Sequence, residues 1–343
     1  MAIFLASIFL LLDSLVGTGI PIPATDRHSA PTIPVEIGWL ETDADAIYGA
    51  HESIIMNAFI DVQSTSILLP DFLIPEDQEY QVIVMCFSKI DGDESCHNIP
   101  RARVEFYDPG GDEPVTIGLA PGSFFRQIFG GSFTIAPATR RSDGHVLWFG
   151  SMHNMTTYSH CSLNSSAATT TNTTPLSNVS LSSNGYFGLA VNVNERIDDM
   201  AVSPNIQEGF ISTFSANDWV PRQVWDQLVS VLLEAEIEVS MTSESFWPFV
   251  GANCDLSRFP TLWYRFFSSD IGNTGFVPAI DIALYPEDYT VRIDETDACR
   301  IRLMPDRDAV APSMIGWNLL QNVVTHFGDN FITFCDPPDD ETF

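Results

Sequence analysis

Basic residues are scarce in this 343-residue chain: 15 Lys and Arg stand against 45 Asp and Glu, for a formal net charge of −30 at pH 7. Such a surface repels phosphate backbones and anionic headgroups, so no nucleic-acid partner and no stable membrane insertion are expected. Long apolar runs are also lacking. Beyond the N-terminal stretch nothing approaches the roughly 18 uninterrupted apolar residues of a membrane span, and the tail "CDPPDDETF" offers neither an anchor nor a retention signal. No Cys-x-x-Cys and no histidines at ligand spacing occur, so neither a metal nor a cofactor is expected. His153 and His160 sit in a Ser/Thr-rich stretch and read as solvated side chains. The Gly-x-Ser-x-Gly elbow of serine hydrolases is missing as well.

What is present describes a folded, secreted chain. Hydrophobic residues make up 45% and aromatics 11%, which separates the protein from disordered compositions, and the length suffices for two domains or lobes. The acidic surface suits an acidic compartment, although ordinary solubility explains it equally well. "MAIFLASIFLLLDSLVGTG" carries an apolar run from Ile3 to Leu12, of signal-peptide length, interrupted by Asp13 and lacking a preceding Lys or Arg. Residues 1–19 are expected to be a signal peptide. Six cysteines and four N-glycosylation sequons (Asn154, Asn164, Asn172, Asn178) fit an oxidising secretory route, hence a secreted or secretory/vacuolar lumenal location. Six cysteines allow fifteen pairings; Cys86 and Cys96, which flank the turn "KIDGDE", are expected to pair.

Along the chain, residues 20–34 ("IPIPATDRHSAPTIP") read as a Pro-rich lead-in, an extended linker or short pro-segment. From residue 35 to about 149, short apolar runs separated by Asp, Gly and Pro argue for strands. "GSFFRQIFGG" reads as a short helix ended by glycines. Residues 162–183, "SLNSSAATTTNTTPLSNVSLSS", read as a glycosylated surface loop. "NGYFGLAVNVNERI" alternates like a half-buried strand. "PRQVWDQLVSVLLEAEIEV" places Val224, Leu228, Val231, Leu232 and Ala235 on one helical face, with Pro221 at the start. The chain reads as mostly β.

Two segments echo each other. In "FIDVQSTSILLP", Asp61 follows Phe59-Ile60 and Pro70 comes nine residues later; in "FISTFSANDWVP", Ser212 follows Phe210-Ile211 and Pro221 comes nine residues later. Each half then carries an apolar–glycine segment, around Gly118 in "TIGLAPG" and around Gly316 in "SMIGWNLLQNVVTHF". A duplicated β-rich unit outranks local readings in setting the fold. The pattern resembles the pepsin-like aspartic proteases, in which each lobe presents two apolar residues, Asp-Thr/Ser-Gly-Thr/Ser and a run ending in proline, crossed from beneath by an apolar–apolar–Gly strand. "GHVLWFGSMHNMTTYSH", "NCDLSRFPTLWYRF" and "CRIRLMPDRDAVAPSMIGWNLLQNVVTHFGDNFITF" are similar to further C-lobe pieces of that family, in order.

The resemblance implies a mostly β, bilobal fold with the N-terminal lobe over 35–140 and the C-terminal lobe over 141–343. The N-terminal lobe is expected to be reduced, because Asp61 precedes Gly118 by 57 residues, against 104 between Ser212 and Gly316. It also implies a Cys254–Cys299 bridge in the C-terminal lobe, which leaves Cys161 and Cys335 to each other. The implied partner is a peptide or protein in the interlobe cleft, bound by a monomer.

Peptide cleavage in that family needs two carboxylates sharing a proton. Asp61 fills the first position; Ser212 stands at the second and has no carboxylate. Val62 and Gln63 replace Thr-Gly, and Phe214 replaces the second glycine, where it is expected to push the two loops apart; Ser64, Thr213 and Ser215 keep hydroxyls. Asp218, six residues after Ser212, lies too far along to substitute. Tyr107 in "VEFYDPGGDEP" is either a flap tyrosine or an ordinary strand-end residue, and Leu68 stands where the family keeps a supporting Trp. The reading that follows is an inactive protease-fold protein. Its alternatives are an active aspartic endopeptidase with a divergent dyad and a secreted structural or adhesive glycoprotein.

Overall fold

The computed structural model describes residues 19–23, 30–40, 51–73, 82–108, 115–137, 144–150, 185–192, 207–220, 222–241, 248–250, 254–268, 277–293, 298–305, 313–328 and 332–335. Strands dominate. In chain order they are β1 (Gly19–Ile22), β2 (Thr32–Leu40), β3 (His51–Asp61), β4 (Ile67–Pro70), β5 (Val82–Ser88), β6 (Glu94–Pro100), β7 (Val104–Tyr107) and β8 (Val115–Gly118). Then come β9 (Phe133–Pro137), β10 (His145–Phe149), β11 (Gly185–Asn192), β12 (Gln207–Ile211), β13 (Asp218–Val220), β14 (Val239–Met241) and β15 (Pro248–Val250). The remainder are β16 (Thr261–Ser268), β17 (Val277–Leu284), β18 (Thr290–Arg292), β19 (Cys299–Ile301), β20 (Leu303–Pro305), β21 (Ser313–Ile315), β22 (Val324–Phe327) and β23 (Ile332–Cys335).

They form an N-terminal sheet in the order β6-β5-β2-β3-β8-β4-β7, a C-terminal sheet in the order β17-β16-β11-β12-β21-β13-β20, a small sheet β14-β15-β19-β18, and a sheet β1-β10-β9-β22-β23 drawn from both halves of the chain. Alternation sets the faces: along β5 the residues Ile83, Met85 and Phe87 are buried and their neighbours are not. β8 is buried throughout, as a strand with both faces covered should be.

The two lobes repeat one motif. β3 runs parallel to β8 with Asp61 opposite Gly118; β4 returns antiparallel to β8 and pairs in parallel with β7. In the second half β12 runs parallel to β21 with Ile211 opposite Ile315, and β13 returns antiparallel to β21 and pairs in parallel with β20. Ile60, Asp61, Val62, Gln63 and Gly118 thereby correspond to Ile211, Ser212, Thr213, Phe214 and Gly316.

Both glycines are sterically required. A Cβ on Gly118 would lie 2.4 Å from the Ser64 carbonyl oxygen, and one on Gly316 would lie 2.2 Å from that of Asn217. Each loop therefore drapes directly over the strand that crosses beneath it.

The sequence-predicted helices are present. Ser123 caps Phe124–Ile128, accepting the Arg126 N–H at 3.4 Å, and Gly130 and Gly131 follow with positive φ. Arg222–Glu234 buries Val224, Leu228 and Leu232, together with Trp225; Pro221 lies outside the described residues. Cys86–Cys96 bridges opposed positions of the β5–β6 hairpin, and Cys254–Cys299 spans 45 residues. The pairing expected for Cys161 and Cys335, the loop 162–183 and all four sequons fall outside the described residues.

The lead-in expected over 20–34 carries strand residues at both ends. Gly19–Ile22 is an edge strand paired with β10, with Ile20 and Ile22 buried, and Thr32 to Pro34 open β2. Proline is tolerated there because Pro21 sits on a sheet edge, and Pro34 pairs with β3 alone, β5 joining only from Val35 onward. The boundary expected at 140/141 falls between β9 and β10, which pair with each other. No helix among the described residues is long and apolar enough to cross a membrane.

Candidate functional site

The two draped loops meet at the junction of the lobes, and three hydrogen bonds cross between them. The Thr213 hydroxyl donates to the Ile60 carbonyl at 2.5 Å and accepts the Val62 N–H at 3.3 Å. From the other side, the Gln63 side-chain amide donates to the Ile211 carbonyl at 2.8 Å. Ile60 and Ile211 are matched positions, so each loop grips the carbonyl preceding the central residue of the other. The first loop does so with an amide because Val62, the mate of Thr213, has no hydroxyl.

Asp61 ends β3, partly exposed. Its Oδ1 accepts the Gln63 N–H at 2.8 Å, and its carbonyl accepts the Leu119 N–H at 2.7 Å. Ser212 is buried, and its N–H donates to the Ile315 carbonyl at 2.9 Å. Ser64 and Ser215 hold matching turns, Ser64 Oγ accepting the Ser66 N–H at 3.1 Å and Ser215 Oγ accepting the Asn217 N–H at 3.3 Å. Their carbonyls accept N–H groups from the strand ends beneath, Ala120 at 2.9 Å and Trp317 at 2.8 Å.

Phe214 does not push the loops apart. Its ring turns outward, 50% exposed, and packs on Phe59 with centroids 4.9 Å apart, tilted by 58°. The fully buried Thr213 beside it keeps the cross-loop bonds.

Tyr107 is the last residue of β7, half-buried and in register with Pro70 of β4. The hairpin at the Asp61 end of the sheet is β5–β6. β2 places Thr32 opposite Phe59 and Val35 opposite Phe87, so the turn Lys89–Asp93 emerges at that same end, with Ile90 exposed and its N–H bonded to the Gly19 carbonyl at 2.9 Å. Leu68, on β4, pairs with Thr116 of β8.

Asp218 is fully buried beneath the second loop. Its oxygens accept the Gly316 N–H at 2.6 Å and the Tyr264 hydroxyl at 2.8 Å. Burial lifts its pKa to about 6, against the opposing pull of those bonds, Arg302 and Asn318. Arg302 is buried too, and donates to the Ala216 carbonyl within the same loop, while Asn318 donates to the Arg302 carbonyl at 2.8 Å. This network has no local sequence signal: Asp218 is a lone acid opening β13, and Arg302 is a single residue between β19 and β20. Among the described residues no cluster of three or more His, Cys, Asp or Glu could hold a metal ion.

No family model matches the chain, and no curated protein matches it. Among solved structures, it is similar to the crystal structure of Basic 7S globulin from soybean, with a TM-score of 0.58 over 93% of this chain and 94% of that chain, at 10% identity. The fold is the bilobal pepsin-like one. The likeness is one of architecture alone, and the doubled strand motif with its paired loops is where that architecture brings the two lobes into contact.

Proposed function

We propose that this pepsin-fold chain is catalytically inactive and binds a peptide or protein partner in the cleft between its lobes. The reading rests most on Ser212 standing at the position matched to Asp61. A hydroxyl there cannot share a proton with the Asp61 carboxylate, and loss of one member of a coupled pair removes the mechanism instead of halving it. Asp218 offers no replacement, since it is buried with its oxygens engaged by Gly316 and Tyr264. Gln63 and Phe214 occupy the two positions at which the family pattern has glycine. The intact cross-loop bonds support retention of the cleft as a scaffold after the chemistry was lost.

Two disulfides fit an oxidising compartment. A leader over the residues that precede β1, ending one residue short of the expected 1–19 because Gly19 opens that strand, and glycosylation of the four sequons complete the proposal of a secreted or lumenal protein.

The test is cleavage of a denatured protein substrate at pH 3–5 by the wild type, Asp61→Ala and Ser212→Asp. The expected result is no cleavage by the first two. Activity of the wild type that Asp61→Ala abolishes overturns the reading in favour of an endopeptidase with a divergent dyad.

A further inference from the structure

Phe59 and Asp61 are two apart on β3 and so share a face, about 7 Å from Cα to Cα. Ala58 and Ile60, on the opposite face, are fully buried, whereas Phe59 and Asp61 are partly exposed. Phe214 extends this surface from the other lobe as an open ring leaning on Phe59. Asp61 makes one side-chain hydrogen bond, from the Gln63 N–H to Oδ1, and among the described residues no Lys, Arg or His forms an ion pair with it. An aromatic shelf thus lies beside a carboxylate oxygen that nothing in the described structure occupies, on a protein with a net charge of −30.

We infer that this site captures a basic side chain, Arg or Lys, of a peptide partner, with its cation stacked over Phe214 and paired with Asp61. A ring face attracts a cation within about 6 Å of its centroid, and a planar guanidinium is wide enough to reach a carboxylate at the same time. The acidic surface raises the local concentration of cationic partners and speeds their arrival. Apolar side chains could use the shelf alone, but they would leave the Asp61 carboxylate desolvated and unpaired, which is costly. Acidic partners are repelled by the site and by the whole surface. The inference rests on the cleft-binding reading above and adds the chemistry of the ligand.

The experiment uses the full chain and capped heptapeptide libraries, randomised except at a fixed central Arg, Lys, citrulline, Leu or Glu, with binding read by fluorescence anisotropy. The Arg and Lys libraries should bind about tenfold more tightly than citrulline, which has nearly the shape of Arg without its charge, and this preference should shrink as salt rises. Asp61→Asn should abolish the preference. Phe214→Leu, which keeps apolar area but removes the ring face, should weaken Arg binding about threefold or more; circular dichroism checks that both variants are folded. Equal binding of Arg, citrulline and Leu libraries, unchanged in Asp61→Asn, overturns the basic-side-chain inference and leaves cleft binding standing. Binding of no library overturns both.

Discussion

The Gln63 side-chain amide reaches across the lobe junction to the carbonyl of Ile211, 148 residues away, at 2.8 Å. It answers the Thr213 hydroxyl, which reaches the carbonyl of Ile60 from the opposite side. Two chemically different groups therefore perform matched tasks at matched positions. If both clamps hold the lobes together, Gln63→Ala should cost about 1–2 kcal/mol in denaturant unfolding, the usual cost of leaving a buried carbonyl unsatisfied. Thr213→Val should cost more, since the Val62 N–H loses its acceptor too. Val62→Thr supplies the hydroxyl that symmetry calls for, so it should recover about 1 kcal/mol in the Gln63→Ala background and add little to the wild type. Strict additivity of the two changes would show that the residues do not share a task.

Gly118→Ala and Gly316→Ala should each destabilise the chain by about 3 kcal/mol or more, because the new Cβ meets a loop carbonyl oxygen at 2.4 or 2.2 Å. Gly92→Ala is the control: nothing lies within 4 Å of its Cβ, and its positive φ of 89° limits the cost to backbone strain of about 1–2 kcal/mol. Thermal melts of the three variants compare these costs; equal shifts would show that the loops yield.

Asp218 should make stability depend on pH in an unusual direction. Its folded pKa is raised to about 6 from an ordinary 3.8, so the folded state binds the proton more tightly than the unfolded state does. That contribution is fully present below about pH 4 and is lost as pH rises through about 6, with a magnitude on the order of 3 kcal/mol. Urea unfolding of the wild type and Asp218→Asn across pH 4–7.5 isolates it. The wild type should lose stability relative to the variant as pH rises, and a difference that stays flat would mean that Asp218 does not titrate in this window.

Replacing Cys254 and Cys299 with serine should cost about 3–5 kcal/mol, because their bridge closes 45 residues. Cys86 and Cys96 close only 10 and are already opposed in a hairpin, so removing that bridge should cost less, about 2–3 kcal/mol. Unfolding under oxidising and reducing conditions ranks the two bridges.

The repeat was legible in the sequence because its signals are local. Two apolar residues, a polar turn and a proline nine residues on recur at Asp61 and Ser212, and the crossing strands announce themselves by a glycine after an apolar run. The helices at Phe124–Ile128 and Arg222–Glu234 were legible for the same reason, since apolar spacing and end signals lie within a dozen residues. The absence of a carboxylate at 212 could also be read from one residue.

What only the tertiary structure decided depends on partners far apart in the chain. β1 is a strand because β10, some 125 residues later, supplies its hydrogen bonds; alone, "GIPI" has the composition of a linker. Phe214 stays compatible with closely joined loops because Phe59 receives its ring from the other lobe. Gln63 gains a role from a carbonyl that no local pattern brings near it, and Asp218 is a protonatable buried acid only because β16, β20 and β21 close around it. Local sequence selects strands, turns and helices through backbone preference and periodicity. Which buried polar groups find partners is settled only when non-local pairing expels water and leaves each to be satisfied by whatever the fold has brought within reach.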